Sequence, residues 1–166
     1  MEQSPLHGDN QQESSRQIRL GWLAGILDGE GTVTIRIRNR RNKSDLLTPV
    51  VTVANTDKEI IDRILEIYKE NNIPYWVTYY PQKGNWAGSW RVDTVGIKRC
   101  IRILNVIKEF LVGKKFEADL VYGWCTNRKD TLGKRKYYDE SDLEVVRQLK
   151  ALHGHKLVLK SSETIR

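Results

Sequence analysis

The sequence predicts an α+β domain in which helices cover one face of a four-stranded antiparallel sheet, with further helices toward the C-terminus. Two observations carry this. Segments with apolar residues at helical spacing and segments that alternate apolar with polar run as helix, two strands, helix, two strands, helix. Within each strand pair only a short turn intervenes, which suits antiparallel neighbours. A chain of 166 residues, 39% hydrophobic, fits one domain and can close its own core.

The elements follow in order. Met1 to Ser15 is polar and lacks periodicity, so residues 1–15 read as a disordered tail before a single domain over 16–166. Ile18, Trp22, Leu23, Ile26 and Leu27 predict a helix from about residue 17 to Asp28, which Gly29 and Gly31 end. Thr32 to Arg40 then alternates, with Val33, Ile35 and Ile37 on one side and Thr34, Arg36, Arg38 and Arg40 on the other. After a basic turn, Leu47 to Ala54 reads as the returning strand, with Pro49 near its start or on an edge. Thr56 or Asp57 can cap the next helix, whose apolar face is Ile60, Ile61, Ile64, Leu65 and Tyr68. Tyr75 to Tyr80 forms an aromatic strand, and Ser89 to Val95 sets Arg91 and Asp93 opposite Trp90, Val92 and Thr94. A third helix follows Gly96, a fourth begins near Lys114 or Lys115, and Asp139 to Leu152 forms a last one after a basic connector, Asn127 to Tyr138.

Composition narrows the function. The chain carries +7 at pH 7, and residues 1–15 hold acids but no Lys or Arg, so the remainder is more basic still. Such a surface attracts polyanions, nucleic acid first. No apolar run is long enough to cross a bilayer, and no membrane partner is expected. Cys100 and Cys125 are isolated, which argues against a disulfide framework and suits a reducing, intracellular setting: cytoplasmic in a prokaryote, organellar in a eukaryote. The polar side of the sheet concentrates positive charge, with five basic residues between Arg36 and Lys43. That is more than a solvated sheet face requires.

The densest chemistry lies between Gly21 and Gly31. Gly21, Gly25 and Gly29 fall four apart and share a helix side, with Ala24 beside them. Each glycine costs a helix about 1 kcal/mol relative to alanine. They either permit tight packing within the chain or admit a second backbone. Asp28 and Glu30 stand at the helix C-terminus, where carbonyl dipoles disfavour carboxylates. A divalent metal would offset that cost, and magnesium suits carboxylate oxygen.

The run Leu23-Ala24-Gly25-Ile26-Leu27-Asp28-Gly29-Glu30-Gly31 resembles the signature of the LAGLIDADG homing endonucleases. The resemblance extends through about Trp124 in the order of elements. It implies an α-β-β-α-β-β-α core whose saddle-shaped sheet lies in a DNA major groove. One motif copy implies a homodimer cutting both strands of a long, nearly palindromic site. It further implies active sites facing each other across the minor groove and short 3′ overhangs. Residue by residue, Glu30 occupies the position of the metal-binding carboxylate, with the Gly29 carbonyl as a further oxygen. Asp28 takes the acidic position that closes the helix end, and Gly21, Ala24 and Gly25 lie at the paired-helix seam. Lys114 matches the lysine of the catalytic pocket. Asn55 and Lys58 fall where relatives carry a polar water-orienting residue, often Gln, and a nearby basic one. Magnesium is the implied cofactor; manganese or calcium can take its place, calcium without efficient cleavage.

The implied partner is double-stranded DNA. Arg36, Arg38, Arg40 and Arg91, with Thr34 and Thr52, are placed to read base edges. Lys43, Arg128, Lys129, Lys134, Arg135 and Lys136 are placed for phosphates. Trp76, Tyr79, Tyr80, Trp86 and Trp90 read as sheet core and hairpin tip rather than a stacking platform. Two rivals use the same fold: a maturase that binds its intron RNA, and a regulator that binds DNA without cutting it.

Overall fold

The computed structural model describes residues 6–40, 43–85, 87–130 and 138–152, and the side chains of these apart from residues 6–10, 39–45 and 130. In chain order the elements are α1 (Leu6–Glu30), β1 (Gly31–Arg40), β2 (Lys43–Asn55), α2 (Lys58–Glu70), β3 (Trp76–Tyr80), β4 (Ser89–Val95), α3 (Ile97–Ile107), α4 (Lys115–Asp130) and α5 (Glu140–Leu152). This is the predicted α+β architecture. The strands form one antiparallel sheet in the order β1-β2-β4-β3.

Helix α1 begins eleven residues before its predicted start. Its side chains from Gln11 to Ile18 are exposed, and apolar periodicity, which reports burial, does not mark such a turn. Downstream, Leu20, Leu23, Ala24 and Leu27 enter the core with Val33 and Ile35 of β1. Helices α1, α2 and α3 pack on this apolar face of the sheet, while α4 and α5 lie against β1. Strand alternation does what the sequence predicts: Val33, Val51, Val53 and Val92 face the helices and are fully buried.

Local chemistry fixes the joints. Asp57 is the cap of α2, accepting from the amides of Glu59 and Ile60. At its other end Asn72 adopts φ 52°, and the Ile73 amide returns to the Tyr68 carbonyl at 2.8 Å. Pro49 sits within β2, paired with Ile35, rather than at its start. The residue facing it beyond β4 is Gly96, whose amide donates to the Pro49 carbonyl at 3.0 Å. The Gly96 carbonyl turns away to accept from Cys100 in the first turn of α3, so the N–H that proline lacks has no ladder partner to miss. Gly96 makes this turn at φ 100°, a conformation glycine reaches without strain.

Two expectations are corrected. The aromatic strand β3 is not core: Trp76, Tyr79 and Tyr80 are exposed on a strand at the edge of the sheet, with no further strand beyond it among the described residues. Trp90 is half-buried against the core, and Trp86 lies outside the described residues. The connector after residue 127 also starts later than predicted, because α4 continues to Asp130. Both cysteines are free and buried; burial pushes the Cys100 thiol up to about 12 and the Cys125 thiol up as well, which keeps both protonated. Among the described residues, no helix is long and apolar enough to cross a membrane.

Tyr138, just before α5, bonds to the edge of β2. Its hydroxyl accepts from the Leu47 amide at 3.1 Å and lies 3.4 Å from the Leu47 carbonyl, to which it donates. Tyr138→Phe is expected to lower stability by about 1 kcal/mol, measured by urea unfolding, with an unchanged denaturant slope.

Candidate functional site

The site is built at the C-terminus of α1. Asp28 does not face solvent as a free acid. Its two oxygens accept from the amides of Val112 and Lys114, each at 2.8 Å, and so anchor the segment between α3 and α4 to the helix end. Burial raises the carboxyl's pKa, but the amides of Val112, Lys114 and Gly113 and the Lys114 charge outweigh it, holding Asp28 below the usual carboxylate value. The Lys114 ammonium donates back to the Asp28 carbonyl. A cation thus meets the negative end of α1, which has no basic residue in its own last turn.

Glu30, two residues on, is exposed, and among the described residues its carboxylate has no hydrogen-bond or ion-pair partner. Glu30 and Lys114 therefore share one helix end. The register brings β2 there too, since Gly31 pairs with Val53. Asn55 stands two residues beyond that pair, its side-chain oxygen taken by the Asp57 amide at 2.8 Å. Lys58 is not directed at Glu30: its ammonium binds Asp62 and lies 5.3 Å from the centre of the Trp90 ring.

Among the described residues no three His, Cys, Asp or Glu side chains converge as a metal site. Asp28 is committed to backbone amides, so one chain offers Glu30 as a single hard-oxygen carboxylate at this end. That donor suits magnesium in kind but not in number. It fits only if a second chain contributes.

The glycine side of α1 is open. A Cβ on Gly25 or Gly29 would meet nothing within 4 Å, and only Gly21 approaches another side chain, Phe110. Tight packing against the described residues therefore does not account for Gly25 and Gly29. Ile18, 73% exposed, and Trp22 continue the same stripe, although their helical spacing placed them with the core residues in the sequence. Val112, beside Asp28, is 86% exposed. Ala24, expected on this seam, is instead fully buried in the chain's own core.

On the outer sheet face Thr34, Arg36, Arg38 and Arg91 are at least partly exposed, whereas Thr52 is not. Thr52 is 7% exposed, and its hydroxyl donates to Asp93 Oδ1 at 2.6 Å, which takes it away from any ligand. The expectation for Arg128 also fails. Its guanidinium is largely buried, 3.5 Å from Asp142 and stacked 4.8 Å from the Tyr138 ring, so it joins α4 to α5. Lys129 is exposed. The side chains of Arg40 and Lys43, and all of Lys134, Arg135 and Lys136, lie outside the described residues. Asp93, at the centre of the face, was visible in the sequence only as an outward acid two residues from Arg91.

Residues 17–108, more than half of the chain, match the LAGLIDADG-like domain family. The chain belongs to this family. Solved structures share the LAGLIDADG fold. The homing endonuclease I-CvuI, in complex with a DNA target, aligns over 86% of this chain and 99% of its own, at 21% identity and TM-score 0.56. An archaeal intron-encoded homing endonuclease complexed with DNA aligns over 84% and 99%, at 14% identity and TM-score 0.56. The group I intron-encoded homing endonuclease I-CeuI, also complexed with DNA, aligns over 83% and 69%, at 12% identity and TM-score 0.60. No curated protein matches the chain.

A carboxyl held below its ordinary pKa stabilises the fold while ionised and ceases to do so as pH falls through that lowered value. Asp28→Asn is therefore expected to cost about 1–2 kcal/mol at neutral pH. The gap to the wild type should narrow in acid, as pH falls through that lowered value and the wild-type side chain also becomes neutral. Denaturant unfolding at neutral and acid pH measures it.

Proposed function

We propose that the chain is a metal-dependent, sequence-specific DNA endonuclease that acts as a homodimer, with one Glu30 from each subunit at the centre. The observation that carries this reading is Glu30, which has no partner among the described residues, at the end of a helix whose glycine face none of those residues covers. A twofold axis along that face would bring two copies of Glu30 together and bury Ile18 and Trp22. The family match and the DNA complexes of similar structures support the choice of substrate.

Each residue then has a defined task. The two Glu30 carboxylates, with the Gly29 carbonyls as further oxygens, would hold magnesium. Bound there, the metal supplies positive charge against that gathering on phosphate oxygens. Asp28 sets the height of the helix end by fixing the segment Val112–Lys114. Lys114 keeps a second positive charge at that end, where it favours an anionic transition state. Asn55 retains its amide N–H donors to orient a water. Arg36, Arg38 and Arg91 contact base edges, and Lys129 contacts phosphate.

A randomised duplex library exposed to the protein with magnesium tests the chemistry. Wild-type protein is expected to yield reproducible double-strand cuts, and Glu30→Gln to lose about 100-fold or more of that rate while still binding the same site. Site-specific binding without cuts by the wild type would instead favour the regulator, and retention of folded intron RNA alone would favour the maturase.

Assembly has its own variant. Because Gly25 has open space around it, Gly25→Arg is expected to leave the helix intact by circular dichroism. Sedimentation should then show a monomer where the wild type is a dimer at micromolar concentration, with cleavage abolished. A monomeric wild type, free and on its DNA site, would refute the dimer.

A further inference from the structure

A carboxylate lies at the centre of the outer sheet face. In the row Thr32, Thr52, Asp93, Trp76 the side chains share that face across all four strands, and Asp93 is 6% exposed. Burying a charge on the side of a sheet that faces water needs compensation. Asp93 receives it from the Thr52 hydroxyl at 2.6 Å and from Arg91 Nε at 2.8 Å, with Arg36 Nη2 4.0 Å away. Arg36 Nη2 also donates to Thr52 Oγ1 at 3.3 Å. Stability alone does not call for this arrangement. Val50, on the same face of the neighbouring strand, shows that an apolar side chain is buried equally well there.

The geometry constrains how the arginines present their donors. Arg91 is held from two sides, by Asp93 at Nε and by the Tyr80 ring 4.9 Å from its guanidinium carbon. With Nε occupied, the donor edge left to Arg91 is the Nη1–Nη2 pair. That edge matches the two acceptors of a guanine in the major groove. Arg36, tied through Nη2, is similarly limited. The same contacts set the negative charge of Asp93 against two positive charges, which weakens their attraction for any phosphate that passes. Among the described residues, Arg38 makes no ion pair with Asp93.

We propose that Asp93, assisted by Thr52, is a positioning residue for specificity: it aims Arg91 and Arg36 at base edges and suppresses their binding to DNA backbone. This rests on the reading of the chain as a DNA-binding protein. Asp93 touches no reacting atom, so its removal should change which DNA is bound more than how fast a bound site is cut.

Asp93→Asn tests it, being equal in size and able to keep the Thr52 hydrogen bond. The probes are the duplex that wild-type protein selects from a randomised library and a scrambled duplex of the same length, bound across a range of KCl concentrations. The variant is expected to bind the scrambled duplex about tenfold more tightly. Its salt dependence should steepen by about one unit, as a freed arginine engages a phosphate. A selection repeated with Asp93→Asn should lose base preference at the position that Arg91→Ala also relaxes. Thr52→Val, which removes the hydroxyl and keeps the charge, should shift selectivity the same way by a smaller factor, and serves if the first variant unfolds. An unchanged ratio of selected to scrambled affinity in both variants would overturn the proposal alone. Failure of the wild type to bind any duplex at low salt would overturn the DNA-binding reading and the proposal with it.

Discussion

Between Asp28 and the amides of Val112 and Lys114, one carboxylate joins parts of the chain more than eighty residues apart. Everything at the candidate site is measured from this contact. It ends α1 in a fixed relation to the start of α4, places Lys114 against a carbonyl of the helix end, and leaves Glu30 as the next acid, without a partner among the described residues. Two neighbouring acids thus divide their work by environment. One is satisfied by backbone and is structural; the other is exposed and available. The charge of Lys114 belongs to both arrangements, since it offsets the helix dipole and adds to the local positive potential.

The basic face shows a related division. A sheet that presented only arginines would bind any polyanion, because phosphate attraction carries no sequence information. Here some of that charge is internally compensated and some is free, and the difference follows from register. Asp93 and Thr52 are cross-strand partners, and Arg91 lies two residues from Asp93 on the same face. A one-residue slip of β4 would carry both to the helix side and leave Thr52 opposite Val92 or Thr94, neither of which can accept as a carboxylate does. Pro49 and Gly96 mark where this register begins, at the point where the chain leaves β4 for α3.

Much of this was legible in the sequence, and the failures have a common cause. Periodicity reports which residues are buried, so β1, the core face of α2 and the buried part of α1 were readable. Asp57 was readable as a helix N-cap from its residue type and place, whereas the helix-closing role of Asp28 came only through the family resemblance. What the sequence did not show was which surface the apolar residues served. Ile18 and Trp22 continue the helical spacing of the core but lie on the open glycine side, and β3 looks like an interior strand although it is an edge. Charges were harder still. Arg128 and Lys129 are adjacent and alike in sequence; one is buried against Asp142 and the other is exposed, a distinction made by α5 docking rather than by any local pattern.

The hydroxyl of Tyr138 has a consequence beyond the bonds it makes. Strand β2 outruns β4, and at Leu47 its outward amide and carbonyl have no strand to pair with. An unpaired stretch of this kind is a template on which a stray strand from another molecule can add. Tyr138 fills both positions with one oxygen, from the segment that leads into α5. A cap of this sort allows the sheet to keep a long central strand, and a broad outer face, without extending into a polymer.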